Sequence, residues 1–215
     1  SGASGILRST VSMLTPETWT SIVTGTAPSK HEVLGFWKEG EDGERRPVTA
    51  KERRTDAIWT YMSKIGKKVV VINVPATYPP DRVNGVMISG MDTPSIESPF
   101  TFPEELRRTL LVDYDYQIDV PQTKDLQSLL DQLEYMTDGR FRSIVDLLKK
   151  EKWDFFMFVT ICLDRAQHFF WKYMESPVHQ GDAEAQRFSD AIFHFYRKVD
   201  LLLGELMKHL PTDAG

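Results

Sequence analysis

Two places in the sequence combine residue types and spacing that suit chemistry. Asp164 and His168 stand four apart in LDRAQHFF. On a helical turn that spacing puts a carboxylate and an imidazole on one face, where they can share a divalent metal. They follow Trp153–Leu163, which has a strand pattern, and in α/β sheets ligands gather at the carboxyl ends of strands. A local Asp–His hydrogen bond is the competing account. Thr15 opens TPETWTSIVTG, which has the form of a helix start. The N–H groups and partial positive charge of such a start suit a phosphate. A hydroxyl there becomes a nucleophile if a metal lowers its pKa. The plainer role for Thr15 is an N-cap, worth about 1 kcal/mol.

Other reactive types carry weaker signals. His31, in TGTAPSKH, suits a loop-ordering hydrogen bond better than catalysis, and Asp92 suits turn chemistry with Thr93 and Pro94 better than ligation. His179, His194 and His209 fall in a loop or on the last helix and read as solvated. Phe169, Phe170, Trp171 and Tyr173 could stack on a substrate base, although aromatics at this density more often fill a core. Glu104 and Glu105 fit first-turn helix charge. Cys162, the one cysteine, falls in that strand pattern and reads as inert.

The elements that must carry these groups follow from periodicity. Ile6–Leu14 has the pattern of a short strand. Thr15 fits an N-cap, Pro16 the first helical position and Gly25 the stop of a first helix. Residues 26–50 form a loop rich in glycine, proline and charge. Residues 51–65 have helical spacing and end at Gly66. KKVVVINV (67–74) is a buried-strand pattern, and Val86–Ser89 is a second strand. A short helix over Glu104–Leu111 and an edge strand over Asp115–Val120 come next. Leu126, Leu129, Leu133, Met136, Phe141, Ile144, Leu147 and Leu148 mark one long helix over 125–150, with a bend expected at Gly139. Trp153–Leu163 reads as a strand. Phe188, Ile192, Phe195, Val199, Leu202 and Leu206 predict one last long helix. Alternating strands and helices predict an α/β fold with a mostly parallel sheet and helices on both faces. The irregular stretches near 91–122 and 172–182 read as insertions on a single domain spanning 1–215, and as the source of a substrate lid.

Composition excludes several classes. The 215 residues hold 26 Lys+Arg and 31 Asp+Glu, a net charge of −5, which argues against a nucleic-acid scaffold. No apolar run approaches the roughly 20 residues of a membrane helix. A single cysteine excludes an intrachain disulfide and a CxxC-type metal site. SGASGILRS lacks the basic and apolar regions of a signal peptide, which together with the lone cysteine suits a cytoplasmic location.

Three stretches taken together carry a resemblance: LTPETWTSIVTGTAPSKHEVLGF (14–36), GKKVVVINVPATYPPDRVNGVMISGMDTPS (66–95) and WDFFMFVTICLDRAQHFFWKYM (153–174). In this order they resemble the type I phosphodiesterase/nucleotide pyrophosphatase family, within the alkaline phosphatase superfamily. The resemblance implies a hydrolase of small phosphoesters or nucleotides with two divalent metals, usually zinc, with manganese as the other candidate. It implies that Thr15 is the nucleophile and a ligand of one metal, forming a phospho-enzyme. Asp164 and His168 match the family's D-x-x-x-H pair and would bind the other. Thr18 stands where relatives often hold an asparagine that touches a phosphate oxygen. Glu32 follows His31 where many relatives have glycine. By the family pattern a further aspartate lies upstream of this segment, and an Asp-His pair and another histidine downstream. The resemblance therefore implies an alkaline-phosphatase-like domain truncated at both ends, whose 215 residues alone bind metal poorly and hydrolyse little.

Two other functions stay open at this point. The intact protein could be a phosphomonoesterase, mutase or phosphonate hydrolase of the same superfamily. It could also be a non-catalytic interaction domain that kept the fold and lost its metal site. Substrate contacts separate the first, and metal content the second.

Overall fold

The computed structural model describes residues 4–6, 8–40, 42–120, 123–174 and 182–211. The chain divides into two compact units, Ser1–Arg107 with Trp153–Met157, and Arg108–Lys152 with Phe158–Gly215.

The first unit is built on a four-stranded mixed sheet, with β3 (Val69–Val74), β4 (Gly85–Ser89), β5 (Thr101–Phe102) and β6 (Phe155–Phe158) in the order β5-β4-β3-β6. β3 and β4 run parallel, from Val69 opposite Gly85 to Ile72 opposite Ile88, and β5 is antiparallel to β4. The sequence VVVINV is β-branched at every position but Asn73, as suits a strand whose six residues are all buried. The expected α/β class is found here, in a mixed sheet whose central pair, β3 and β4, is parallel. Helices α1 (Thr15–Thr24), α2 (Pro28–His31) and α3 (Ile58–Lys64) belong to this unit, together with a hairpin of β1 (Trp37–Glu39) and β2 (Arg45–Pro47).

Several expectations for this unit are corrected. The described residues among 6–14 hold no strand; they turn, and the Thr10 hydroxyl bonds the Ser12 carbonyl. The stretch 26–50 contains α2 and the hairpin. Both hairpin strands are three residues long and exposed throughout, so they carry no hydrophobic alternation. The helix over 51–65 shrinks to α3. Its first part is a 3-10 turn over Ala50–Glu52 closed by a Thr49–Glu52 capping box, after which the chain extends. Arg53 leaves the helical path to bond the Asp81 carboxylate at 2.5 Å, and Trp59 Nε1 donates to the same carboxylate at 2.7 Å.

The second unit is helical. α5 (Leu126–Lys150) is one 25-residue helix, as its period predicts, opened by Asp125, whose carboxylate accepts the Gln127 N–H. α4 (Leu106–Asp113) precedes it, with its first two residues in the other unit, and α6 (Cys162–Phe170), α7 (Ala183–Phe188) and α8 (Ala191–Met207) follow. The core joins Leu129, Leu133 and Met136 of α5 to Ala166 and Phe170 of α6 and to Phe188, Ile192 and Phe195.

Three further corrections fall on this part of the chain. The expected edge strand over Asp115–Val120 is absent: the buried Arg140 guanidinium binds the carbonyls of Gln117 and Ile118, so these groups pair with a side chain and not with a strand. The strand expected over Trp153–Leu163 ends at Phe158 and is half-buried, and a helix starts at Cys162. The last helix divides between Phe188 and Ala191. Its apolar period runs across the break because Phe188 on one side and Ile192 and Phe195 on the other enter the same core.

Candidate functional site

Thr15 is the first residue of α1, and Leu14, in extended conformation, holds the N-cap position. This corrects the expected N-cap role. The Leu14 carbonyl accepts the Thr18 N–H at 3.0 Å, so the helical ladder begins one residue earlier than the hydroxyl pattern suggests. No side chain caps α1. The half-buried Thr15 hydroxyl has no hydrogen-bond partner among the described residues. Pro16 brings no N–H to the first turn, which leaves the N–H groups of Thr15 and Glu17 as its free-standing helical donors. Gly25 ends the helix as expected, at φ 63°, with its N–H on the Ser21 carbonyl at 2.9 Å.

The underside of α1 is fixed by His31, which is fully buried. Its Nε2 lies 2.9 Å from the Ser21 hydroxyl, and its Nδ1 accepts the Val33 N–H at 3.1 Å. Burial holds its pKa below the ordinary value, while the nearby Glu17 carboxylate pulls the other way. His31 is thus the loop-ordering group that its position suggests. The Thr18 hydroxyl is 2.9 Å from that of Thr10. The Thr10 partner has no signature in the sequence, because it lies in a segment without period.

Asp164 and His168 sit on α6, in its first and last turns. Asp164 Oδ1 and His168 Nε2 are 3.5 Å apart, and the two side chains are 60% and 65% exposed. The spacing argument therefore holds for this pair: both groups share one face and are open to solvent. An oxygen and a nitrogen donor so placed fit half the ligand set of a divalent metal. Among the described residues there is no group of three His, Cys, Asp or Glu side chains that could hold one.

The remaining candidates have structural partners or none of note. The Asp92 carboxylate accepts the Ala76 N–H, tying the segment after β4 to the segment after β3. Cys162 is not in a strand but opens α6; it is buried, and burial pushes its thiol pKa up. His194 pairs with Glu134, and His209 with Glu205 at 2.9 Å. His179 lies outside the described residues, as does most of 172–182. The aromatic cluster divides: Phe170 and Tyr173 are core, with rings 5.3 and 5.6 Å from that of Phe188, whereas Phe169 and Trp171 are exposed. Phe169 borders a cleft of about 600 Å³ with Leu129, Lys124 and the Asp119–Arg165 ion pair. Sequence reasoning did not anticipate this cleft, since the loop around 119–124 carries no motif.

The family model for type I phosphodiesterase / nucleotide pyrophosphatase matches residues 1–215. The chain belongs to this family. The match takes in α1, the sheet and α6 alike, so Thr15 and the Asp164–His168 pair both lie within the type I phosphodiesterase segment. No curated protein matches the chain. Among solved structures, a phosphonoacetate hydrolase from Sinorhizobium meliloti 1021 in complex with phosphonoformate is similar at 17% identity and a TM-score of 0.46, over 85% of this chain and 41% of that one. The same hydrolase in complex with phosphonoacetate gives 16% and 0.48, over 90% and 44%. The chain spans less than half the length of these structures.

Proposed function

We propose that the chain supplies part of the active site of a metal-dependent phosphoryl hydrolase, a phosphodiesterase of small phosphoesters or nucleotides, with Thr15 as nucleophile. The observation that carries this is the position of Thr15: a hydroxyl with no partner among the described residues, on the first residue of a helix, inside a family match that covers the chain. The Thr15 oxygen attacks phosphorus and one ester group leaves as alcohol or phosphate, giving a phosphodiester on Thr15 that keeps the substrate's other organic group. Water then attacks phosphorus, releases the monoester and restores the Thr15 hydroxyl. The N–H groups of Thr15 and Glu17 donate to the charge that develops on the phosphoryl oxygens. Thr18, one turn on, would donate a further hydrogen bond to phosphate.

Asp164 and His168 would hold one divalent metal, zinc or manganese, and Thr15 would be a ligand of a second. Metals so held would supply positive charge for phosphate binding and for ionising the Thr15 hydroxyl. His31 plays no proton-transfer part: with Nδ1 accepting from Val33, the neutral ring carries its proton on Nε2 and offers Ser21 no base.

The test is hydrolysis of an aryl phosphodiester with zinc or manganese by the protein as its gene encodes it, against Thr15→Ala. A loss of about 1,000-fold or more is expected for a missing nucleophile. Equal rates would remove Thr15 from the mechanism. Monoester and phosphonate substrates in the same assay separate the diesterase from the other activities of the superfamily.

A further inference from the structure

We propose that Thr10 is a positioning residue that holds the hydroxyl proton of Thr18, and thereby sets how tightly the site takes phosphate. The inference rests on the reading of Thr18 as a phosphate contact.

The donor count requires this direction. A threonine hydroxyl has one proton to give and two lone pairs with which to accept. Thr10 Oγ1 is 2.5 Å from the Ser12 carbonyl oxygen, which can only accept, so the Thr10 proton is spent there. Thr10 and Thr18 Oγ1 are 2.9 Å apart, and with Thr10 already committed, Thr18 is the donor between them. A non-bridging phosphate oxygen is an acceptor and needs that same proton. Thr18 cannot serve both, so phosphate binding must break the Thr18–Thr10 bond. Thr10 sits in a turn whose neighbours Val11 and Met13 are exposed, so its release moves a surface segment and not a core. The bond lost is neutral and partly solvated. Its net worth corresponds to about threefold to tenfold in affinity.

The experiment is calorimetric titration of inorganic phosphate into the protein as its gene encodes it, in zinc-containing buffer. The variants are Thr10→Ser, Thr10→Val, Thr10→Ala, Thr18→Val and the Thr10→Val/Thr18→Val double. Thr10→Ser keeps the acceptor and should match the unaltered protein, which a purely steric role for Thr10 would not predict. Thr10→Val should bind phosphate about threefold to tenfold tighter, with Thr10→Ala giving the same direction should valine disturb the turn. Thr18→Val should bind more weakly, and the double variant should match Thr18→Val, because without the Thr18 proton there is nothing for Thr10 to hold. Weaker binding in Thr18→Val with no gain in either Thr10→Val or Thr10→Ala overturns the role of Thr10. Unchanged binding in Thr18→Val removes the phosphate contact on which the inference rests, and a loss of binding in Thr10→Val at an unchanged melting temperature makes Thr10 itself a contact.

Discussion

Ser21 on α1 and His31 on α2 are joined through Nε2 of a fully buried imidazole whose other nitrogen is taken by the Val33 N–H. Both ring nitrogens are therefore committed in the neutral form. Adding a proton would turn the Nδ1 acceptor into a donor facing the Val33 N–H. This agrees with the direction in which burial moves the His31 pKa.

A pH dependence follows. With its folded pKa below its unfolded value of about 6.5, His31 contributes stability that is fully present above that value. The contribution is lost as pH falls from there through the folded pKa, since the unfolded chain takes up the proton first. Urea unfolding at pH 7.5 and 5.5 should show the loss. In His31→Asn the side-chain oxygen can still accept the Val33 N–H, but nothing titrates. That variant should be less stable at pH 7.5 and should lose less between the two pH values. An equal loss in both proteins would exclude His31 as the source.

Glu32 adopts φ 61° and caps α2 with its N–H on the Pro28 carbonyl. A non-glycine residue in that left-handed region costs about 1–2 kcal/mol, which glycine avoids at the expense of about 0.4–1 kcal/mol of unfolded-state entropy. The ion pair of Glu32 with Arg54 is exposed on both sides and worth little. Glu32→Gly should therefore raise stability by about 0.5–1 kcal/mol, read as a higher urea midpoint at unchanged slope.

Two glycines inside helices should respond in opposite ways to alanine. A Cβ at Gly139 of α5 would meet the Tyr114 carbonyl oxygen at 2.5 Å, so the helix has to move away from the chain after α4. A Cβ at Gly204 of α8 meets nothing within 4 Å. Gly139→Ala should destabilise by about 1–3 kcal/mol through overpacking. Gly204→Ala should stabilise by about 0.5–1 kcal/mol through helix propensity. Thermal melts of the pair check both signs.

If the pair holds metal as proposed, zinc should raise the melting temperature of the protein as its gene encodes it, and Asp164→Asn and His168→Ala should each reduce that rise, because a ligand of the folded state stabilises it by mass action. Both side chains are largely exposed, so the apo stabilities should stay within about 0.5 kcal/mol of the parent. A zinc response untouched in both variants would remove the pair from metal binding.

The elements that carry the candidate site were legible where one period or one punctuator governs them. Gly25 fixes the end of α1, the β-branched run fixes β3, and the four-residue spacing of Asp164 and His168 gives their common face. Errors arose where an apolar run has no period of its own. Between Trp153 and Leu163 the sequence does not distinguish the end of a strand from the start of a helix, and the buried Cys162 belongs to the helix. The segment around 115–120 was misread because Arg140, more than twenty residues on, supplies its hydrogen bonds. Thr10 was not legible as a partner of Thr18, because only the turn at Ser12 brings the two hydroxyls together.

The most direct test of the central claim is to trap the covalent intermediate. The metal-loaded protein, acid-quenched during turnover of an aryl phosphodiester, is digested and its peptides are analysed by mass spectrometry. A phosphoryl or phosphoester adduct on Thr15, absent from Thr15→Ala together with turnover, is the predicted result. Continued turnover by Thr15→Ala, with no adduct on the Thr15 peptide of the parent, would contradict it.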